Sequence, residues 1–400
     1  MRTLTRKLKK AFVTATVYTM ALVTPMVTVP MAYAMPHLTK VTSGVAKVST
    51  VGNAMAVKQS TTSATFDWAS YNLASNQSVT YTTPGSSSVS LNIINSSTPA
   101  TISGVIKSNG QLVYMAPNGL MFANGSTVNA AGVMAYGASS ANGPMTGNIT
   151  NNGVISASGP VSLVGANVTN NGSLSGSTVA VGAGQYVSVS NSGLSSLSVK
   201  AQGGQGFIDD NGTIKAQNAV GLDASGITTV AGTITTGQQG NVETSGSNLS
   251  VANTAVVNTN GGTWLLDPAS FYIGANTSGS ASSTLGNTLG HSDMSGSTLS
   301  TALANNNVII ESADGTSGSQ GNIYVNQAVS WNSQYSLKLL AANSIELNAG
   351  ITDSYTGNIP TTCGNSPCGI GPLYSTVGII PNKTTDISGT SGNCDISSGG

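Results

Sequence analysis

Charge is scarce in this chain of 400 residues, because Asp, Glu, Lys and Arg together make up 6% of it. About 25% is usual for a soluble globular protein. Five of the thirteen basic residues lie among the first ten positions, and no arginine follows Arg6. Residues 35–400 hold eight basic and thirteen acidic side chains, a net charge of −5. A nucleic-acid-binding protein needs a basic surface, so the sequence argues against nucleic acid as a partner.

Histidine and cysteine are also rare, which limits the chemistry open to the chain. The two histidines are His37 and His291, too few to suggest a Ser-His-Asp site. The three cysteines are Cys363, Cys368 and Cys394. In an oxidising compartment Cys363 and Cys368 are predicted to close a small disulfide loop, which leaves one thiol over. No histidine lies near them to complete a familiar zinc pattern, and we predict neither a metal nor a cofactor.

Glycine, serine, threonine and asparagine supply the polarity instead, and short turns that contain them recur about every twenty residues. Hydrophobic residues still make up 39% of the chain, and they alternate with polar ones as in β-strands. A period this short fits one coil of short strands rather than a pair of helices. We therefore predict an all-β, single-stranded solenoid of stacked coils. The turns that set the period are Ala131-Gly132, Asn152-Gly153, Asn171-Gly172, Ser192-Gly193, Asn211-Gly212 and Ala231-Gly232.

The repeated turns also predict how the coils are held together. Asn152, Asn171 and Asn211 occupy equivalent positions, so their side chains are expected to form amide ladders from coil to coil. The glycine that follows each of them is expected to supply a positive φ at the corner. A stack of this kind has two open edges that need covering. The less periodic N-terminal segment is the expected cap.

Residues 1–34 have the pattern of a secretory signal peptide. Five basic residues precede a stretch rich in Ala, Val, Thr and Met, and Ala32-Tyr33-Ala34 fits the small-x-small cleavage rule. Threonine and proline interrupt the apolar run, so a membrane-spanning helix is the weaker alternative. We predict cleavage near Ala34 and export of the remainder.

The remainder divides into three predicted parts: a regular β-helical domain over residues 35–260, a continuing β-helical segment over 261–350, and an irregular tail over 351–400. In the second part, a Ser/Gly-rich stretch at Thr277–Ser300 is predicted to be a surface loop. Strands are predicted at 307–310, 322–325, 336–340 and 345–348. The tail is expected to provide no closing cap, as though the chain were a fragment.

The most specific stretch is residues 92–123, which resembles the core of the filamentous-haemagglutinin-type secretion domain of large bacterial exoproteins. Asp67–Leu73 is similar to an earlier Trp-containing segment of that family, and Trp264–Pro268 to a motif just beyond its domain. One departure is Ala116, where the family has Asn, although the turn needs only the Pro-Asn-Gly that follows. The residues that match without a gap are Asn92, Pro99, Ile102, Gly104, Asn109, Gly110, Pro117, Asn118, Gly119, Leu120 and Phe122.

This resemblance implies a right-handed parallel β-helix that is exported by the two-partner route. A dedicated outer-membrane β-barrel transporter would recognise the N-terminal domain in the periplasm. Candidate recognition or cap residues are Asn92, Pro99, Asn109, Gly110, Pro117, Asn118, Gly119 and Phe122. The passenger would be adhesin-like, non-enzymatic and secreted or held at the cell surface, with surface receptors as further partners.

Two alternatives remain open at this point. Polysaccharide-degrading enzymes share the β-helix, but the one adjacent acidic pair, Asp209-Asp210, lies in a regular corner and is expected to be structural. An autotransporter would carry its own barrel of alternating strands, and none follows in this sequence.

Overall fold

The computed structural model describes residues 35–190, 197–274, 293–312, 321–342, 344–355, 378–381 and 384–387, all within one compact unit. Nearly all of them form short strands. From the N-terminus these are β1 His37–Ser43, β2 Ala46–Val51, β3 Ala54–Gln59, β4 Ser63–Ser70, β5 Ser78–Thr82, β6 Val89–Ile94, β7 Ala100–Ile102, β8 Val105–Ser108, β9 Gln111–Met115, β10 Leu120–Phe122, β11 Thr127–Ala130, β12 Gly132–Tyr136, β13 Ile149–Asn151, β14 Val154–Ala157, β15 Val161–Gly165 and β16 Val168–Asn170.

The later described elements include one helix. They are β17 Ser173–Ala183, β18 Tyr186–Ser190, β19 Ser198–Gln202, β20 Phe207–Asp210, β21 Thr213–Val230, β22 Thr233–Thr236, β23 Asn241–Val251, β24 Val256–Asn258, β25 Thr263–Pro268, β26 Phe271–Gly274, β27 Met294–Ser295, α1 Gly296–Ala302, β28 Asn307–Ser312, β29 Asn322–Val325, β30 Val329–Trp331, β31 Leu337–Ala341, β32 Ser344–Leu347, β33 Ile351–Asp353, β34 Gly378–Pro381 and β35 Thr384–Ile387.

These strands form a parallel β-helix with three faces, which confirms the predicted fold class. Each coil adds one strand or strand segment to each face in turn. Face 1 includes β5, β8, β11 and β14; face 2 includes β6, β9, β12 and β15; face 3 includes β7, β10, β13 and β16. The long strand β21 runs along all three faces, because it pairs with β17, β20, β22 and β23 in parallel. Aliphatic and aromatic side chains fill the interior between the faces.

Antiparallel strands cover the N-terminal end of the stack, as predicted for a cap. β1 pairs with β4 at the start of face 2, and β2 pairs with β3 at the start of face 1. Both pairings run against the parallel direction of the coils that follow. The strand edges that a stack would leave open at this end are therefore occupied by the chain itself.

The six predicted turns do not all occupy one corner. Gly153, Gly172, Gly212 and Gly232 stack at the corner between faces 3 and 1. The carbonyl of each of these glycines accepts a hydrogen bond from a backbone N–H group of the next coil. Ala131-Gly132 lies instead at the corner between faces 1 and 2, and the Ala131 N–H donates to the Gly110 carbonyl at 3.0 Å.

The predicted Ser192-Gly193 turn lies outside the described residues. The strands on either side of it, β18 and β19, pair antiparallel with each other. The coil before them stacks directly on the coil after them, since Ser173 pairs with Thr213. The antiparallel pair β18–β19 thus interrupts the series of coils. Because this excursion is about as long as one coil, the spacing of the turns in the sequence is preserved.

The expected reason for glycine at the repeated corner was also wrong. None of Gly153, Gly172, Gly212 and Gly232 has a positive φ. A Cβ atom on Gly212 would lie 2.2 Å from the Gly172 carbonyl oxygen, and one on Gly232 would lie 2.1 Å from that of Gly212. Glycine is needed here because successive backbones approach too closely for any side chain.

The predicted amide ladder is confirmed. The Asn171 amide donates to Asn152 at 2.9 Å, and the Asn211 amide donates to Asn171 at 3.1 Å. Asn211 reaches Asn171 across 40 residues because the hairpin lies between them. Each rung replaces a hydrogen bond to water with one to the neighbouring coil, so the ladder stabilises the stacking at the corner.

The coils continue beyond residue 260, and the predicted strands at 307–310, 322–325, 336–340 and 345–348 are confirmed to within one or two residues at their ends. The predicted loop at Thr277–Ser300 is wrong for its described part, residues 293–300. There β27 pairs with β26, and α1 begins with Ser295 as its N-cap, whose hydroxyl accepts from the Thr298 N–H. Leu299 and Leu303 are fully buried, which explains why this segment packs inward.

Two strands in the predicted irregular tail also pair with the stack. β34 pairs antiparallel with β32, and β35 pairs antiparallel with β31. These strands therefore cover the edges of faces 3 and 2 in a segment that was predicted to be irregular. The described residues include no helix long and apolar enough to cross a membrane.

Gly212→Ala is expected to destabilise the chain by about 1–3 kcal/mol, because the new methyl group meets backbone that cannot move independently. Urea denaturation of the full chain, followed by circular dichroism, measures the change in midpoint. Gly85→Ala is the matched control, since a Cβ at Gly85 has no neighbour within 4 Å. Equal midpoints for the two variants would contradict the close approach at the corner.

Candidate functional site

The eight residues predicted from the motif lie in three separate places near the N-terminal end of the stack. Two of them, Asn92 and Phe122, are fully buried in the interior. Asn109 and Gly110 lie at the corner between faces 1 and 2. The remaining four meet at the corner between faces 2 and 3; they are Pro99, Pro117, Asn118 and Gly119.

Asn92 is the centre of a buried polar network. Its Oδ1 accepts hydrogen bonds from Trp68 Nε1 at 2.9 Å and from the Tyr81 hydroxyl at 2.7 Å. Its Nδ2 donates to the carbonyls of Ser90 and Val113. The hydroxyls of Tyr71 and Tyr81 lie 2.8 Å apart. Asn92 therefore joins three coils from inside, and its side chain is not available to a partner in the folded protein.

An aromatic stack surrounds this network and explains the position of Phe122. Trp68 contacts Tyr71 edge to face at 5.0 Å, Tyr71 contacts Tyr114 at 5.5 Å, and Tyr114 contacts Phe122 at 6.4 Å. Burial raises the pKa of Tyr71, Tyr81 and Tyr114 well above the ordinary value. These hydroxyls stay protonated in the folded state, and those of Tyr71 and Tyr81 act as hydrogen-bonding groups.

The Pro-Asn-Gly segment forms a tight turn at the corner between faces 2 and 3. The Gly119 N–H donates to the Ala116 carbonyl at 2.9 Å, and Gly119 has a φ of +102°. The turn therefore forms although Ala116 replaces the Asn of the family pattern, as expected. Asn118 is exposed, and its amide donates to the Ser96 carbonyl at 2.6 Å. Pro99 is exposed beside the same corner, one coil earlier.

Asn109 and Gly110 hold the other corner against the preceding coil. Asn109 Oδ1 accepts from the Thr83 N–H at 2.7 Å, and Asn109 Nδ2 donates to the Thr83 carbonyl at 2.8 Å. The side-chain amide thus pairs with Thr83 as a strand backbone would. A Cβ on Gly110 would lie 2.6 Å from the Thr83 hydroxyl, so only glycine fits beside this pair.

Comparison with known proteins identifies the family to which this arrangement belongs. Residues 32–267, more than half of the chain, match the TPS secretion domain. The chain belongs to this family. The resemblance inferred from residues 92–123 is confirmed, and the domain is that of two-partner secretion exoproteins.

Similar proteins support the same conclusion for this TPS secretion domain. The secretion domain of HMW1 from Haemophilus influenzae has the same fold, with a TM-score of 0.50 and 17% identity over 74% of this chain and 90% of that one. A heme/hemopexin-binding protein of Haemophilus influenzae is 33% identical over 101 residues, which are 25% of this chain and 11% of that protein. Another heme/hemopexin-binding protein of Haemophilus influenzae is 28% identical over 86 residues, which are 22% of this chain and 9% of that protein. The alignments thus span about a tenth of the length of these curated relatives.

A second ladder in the TPS secretion domain contains a carboxyl group that the sequence interpretation treated only as part of a corner. The Asn151 amide donates to Asn170 at 2.8 Å, and the Asn170 amide donates to Asp210 at 2.7 Å. Asp210 is 1% exposed, and its Oδ2 has no hydrogen-bond partner. Burial raises the pKa of Asp210 from 3.8 to about 6, although the bonds from Asn170 and Gly212 oppose the shift. Asp209 is on the outer side of the same strand.

Acidic side chains also gather in a cleft between the hairpin β18–β19 and face 2. The cleft has a volume of about 570 Å³ and is lined by Lys200, Asp223, Glu243 and Asp267 among others. The Ala201 N–H donates to the Asp223 carboxylate at 2.7 Å, which ties the hairpin to the coil. Burial raises the pKa of Glu243, and a hydrogen bond from Ser245 opposes the shift. The predicted disulfide cysteines, Cys363 and Cys368, lie outside the described residues.

Asn92→Ala is expected to destabilise the TPS secretion domain by about 2–5 kcal/mol, because it leaves the Trp68 N–H without its acceptor in the interior. Urea denaturation monitored by tryptophan fluorescence provides the measurement. Asn129→Ala, at an exposed position on face 1, is the control and is expected to change the stability by less than about 0.5 kcal/mol. A loss of similar size in both variants would show that the network contributes little.

Asp210→Asn is expected to stabilise the folded chain more at pH 7.5 than at pH 4.5. The folded pKa is above the unfolded one, so the favourable contribution of the protonated group is lost as the pH rises through about 6. The shift corresponds to about 3 kcal/mol at neutral pH. Unfolding free energies at the two pH values test this, with Asp209→Asn as the control. The same pH dependence in Asp210→Asn as in the unaltered chain would contradict the assignment.

Proposed function

We propose that the chain is a secreted exoprotein whose N-terminal domain is recognised by a dedicated outer-membrane transporter. Residues 1–34 would serve as a signal peptide cleaved near Ala34, and residues 35–260 would form the secretion domain. Residues 261–350 would continue the β-helix, followed by the tail at 351–400. The match to the TPS secretion domain over residues 32–267 supports the route.

The single observation that carries the proposal is that the family motif builds the first coils of the stack. Asn92 and Phe122 hold the interior of these coils, while the corners at Asn109 and Asn118 fix their register. The later coils are simpler and pair with the coil before them. A chain that emerges N-terminus first could therefore fold by adding coils to a completed first layer, which makes this domain the nucleus of the β-helix.

Asn118 and Pro99 are the best candidates for direct recognition among the motif residues. Both are exposed at one corner, whereas Asn92 and Phe122 are buried. The Asn118 turn presents an amide and the Pro117 carbonyl at the surface, and the Pro117 carbonyl accepts a bond from the Thr146 hydroxyl. We infer that the transporter contacts this corner.

We propose that the passenger is adhesin-like and not an enzyme. Asp210 is buried in a ladder of asparagine side chains, so the adjacent acidic pair does not offer two carboxyl groups to a substrate. The cleft lined by Asp223, Glu243 and Asp267 is the feature that favours the alternative, a polysaccharide-degrading enzyme. Release of reducing or unsaturated ends from plant or bacterial glycans would establish that alternative. The names of the heme/hemopexin-binding relatives apply to proteins of which only about a tenth is matched here.

Secretion in the presence and absence of a transporter tests the proposed route. The chain is expected in the culture medium only when a partner two-partner-secretion transporter is coexpressed, and Asn118→Ala is expected to lower the secreted amount several-fold. Asn124→Ala is the matched control, because Asn124 lies in the next exposed turn, where the Ser126 N–H donates to the Ala123 carbonyl. Secretion without any transporter would refute the route, and equal secretion of both variants would refute the role of Asn118.

A further inference from the structure

Eight Asn-Gly pairs occur in this chain, and in such pairs asparagine is most prone to spontaneous deamidation. Glycine has no Cβ, so nothing shields its backbone nitrogen from the side chain of the asparagine before it. All of these pairs lie in the described residues, so the structure shows how each is held. They are Asn109-Gly110, Asn118-Gly119, Asn124-Gly125, Asn142-Gly143, Asn152-Gly153, Asn171-Gly172, Asn211-Gly212 and Asn260-Gly261.

Deamidation of an Asn-Gly pair has two requirements that a fold can deny. The glycine N–H must lose its proton, and the nitrogen must then reach Cγ of the asparagine side chain. A hydrogen bond from the glycine N–H opposes the first step, and a hydrogen bond to the side-chain amide opposes the second. A pair that is held in this way is expected to react slowly until the chain opens locally.

In seven of the pairs the glycine N–H donates a hydrogen bond. Six of the seven asparagine side chains are hydrogen-bonded as well. The acceptors of the glycine N–H groups are the Ser108 hydroxyl for Gly110, the carbonyls of Ala116, Ser140, Asn151 and Asn305 for Gly119, Gly143, Gly172 and Gly261, the Asn151 side chain for Gly153 and the Asp210 carboxyl for Gly212.

The pair Asn124-Gly125 is held in neither way. Both residues are exposed, and no described residue forms a hydrogen bond with the Gly125 N–H or with the Asn124 side chain. Gly125 has a φ of +83°, and a Cβ placed on it would have no neighbour within 4 Å. The Asn124 side chain therefore has room to turn toward the Gly125 nitrogen.

The length of this turn explains why the stack does not hold it. Residues 123–126 connect β10 on face 3 to β11 on face 1, whereas two residues make the same connection one coil later, between β13 and β14. The flanking strands nevertheless stay in register, since Phe122 pairs with Asn151 and Thr127 pairs with Val154. The two additional residues therefore protrude from the corner, beyond the reach of the amide ladder.

We propose that Asn124-Gly125 is a site of spontaneous deamidation in the folded protein, and that the β-helix protects the other pairs. The Gly125 nitrogen attacks Asn124 Cγ and closes a five-membered succinimide ring. The bond from Cγ to the side-chain nitrogen breaks, and ammonia leaves with the proton from the Gly125 N–H. Water then opens the ring at either carbonyl and gives aspartate or isoaspartate. One water molecule is consumed and one ammonia is released, and this holds whatever the secretion route.

The product changes the charge of the first coils. Asp67 is the one acidic residue between positions 35 and 208, so a carboxylate at position 124 is a large change in this part of the chain. Isoaspartate also lengthens the backbone of the turn by one methylene group. Because the turn protrudes from the stack, the pairing of β10 and β11 with their neighbours is expected to persist.

The test follows the folded full chain during incubation at mildly alkaline pH, with peptide mapping by mass spectrometry. Deamidation raises the mass of the peptide that contains Asn124 by about 1 Da, and enzymatic methylation of isoaspartate identifies the product. The other Asn-Gly pairs of the same molecule are internal controls. Asn124→Gln is the matched variant, because its longer side chain would have to close a less favourable six-membered ring. The chain unfolded in urea shows the reactivity of all pairs without the fold.

Asn124 is expected to deamidate at least about tenfold faster than each other Asn-Gly asparagine in the folded chain, since one hydrogen bond can account for roughly that factor. In urea the rates are expected to converge, and in Asn124→Gln the fast release of ammonia is expected to disappear. A rate at Asn124 no higher than at the other pairs would overturn the inference. An equal excess at Asn124 in urea would also overturn it, because the sequence and not the fold would then set the rate.

Discussion

The stacking distance between coils is the constraint from which most of this structure follows. Parallel strands of adjacent coils lie about 4.8 Å apart, so each residue touches the residue at the equivalent position one coil away. At the repeated corner the distance admits no side chain, and Gly172 lies directly against Gly212. Beside it, Asn171 meets Asn152 and Asn211. Residues of the same type recur at equivalent positions, because each residue packs largely against the equivalent residues of the neighbouring coils.

The first coils cannot rely on that rule, since no earlier coil precedes them. At this end, two antiparallel strands, a buried aromatic stack and the Asn92 network together provide the contacts that an earlier coil would otherwise make. Buried polar networks are costly unless every member is bonded, and this one specifies a unique arrangement of Trp68, Tyr71 and Tyr81. The residues that identify the family are largely the residues that build this end. The proposed recognition and the proposed start of folding therefore fall in the same coils.

The sequence predicted the β-helix, its cap and the amide ladder because all three depend on local spacing. It failed where spacing alone is ambiguous. A hairpin with the length of a coil kept the period across Ser192-Gly193, and only the pairing of β17 with β21 reveals the excursion. The buried ladder was missed, although Asn151, Asn170 and Asp210 each precede an Asn-Gly pair. That triplet pattern was the available signal, but burial of its first residue depends on contacts between coils. Helix α1 was missed because Ser and Gly suggest a loop unless the buried Leu299 is known.

Scarce charge narrows the ways in which such a chain can be recognised. With a net charge of −5 over residues 35–400 and no arginine there, strong electrostatic steering toward a partner is not available. Polar side chains on faces 1 and 3 are mainly threonine, serine and asparagine, which are well hydrated and similar from coil to coil. Specific recognition then depends on features that break the repetition. In the described residues the clearest of these are the exposed corner at Asn118 and the hairpin β18–β19, and both lie within the secretion domain. The proposed division of the chain is therefore a recognised beginning within the secretion domain and a β-helical extension beyond it.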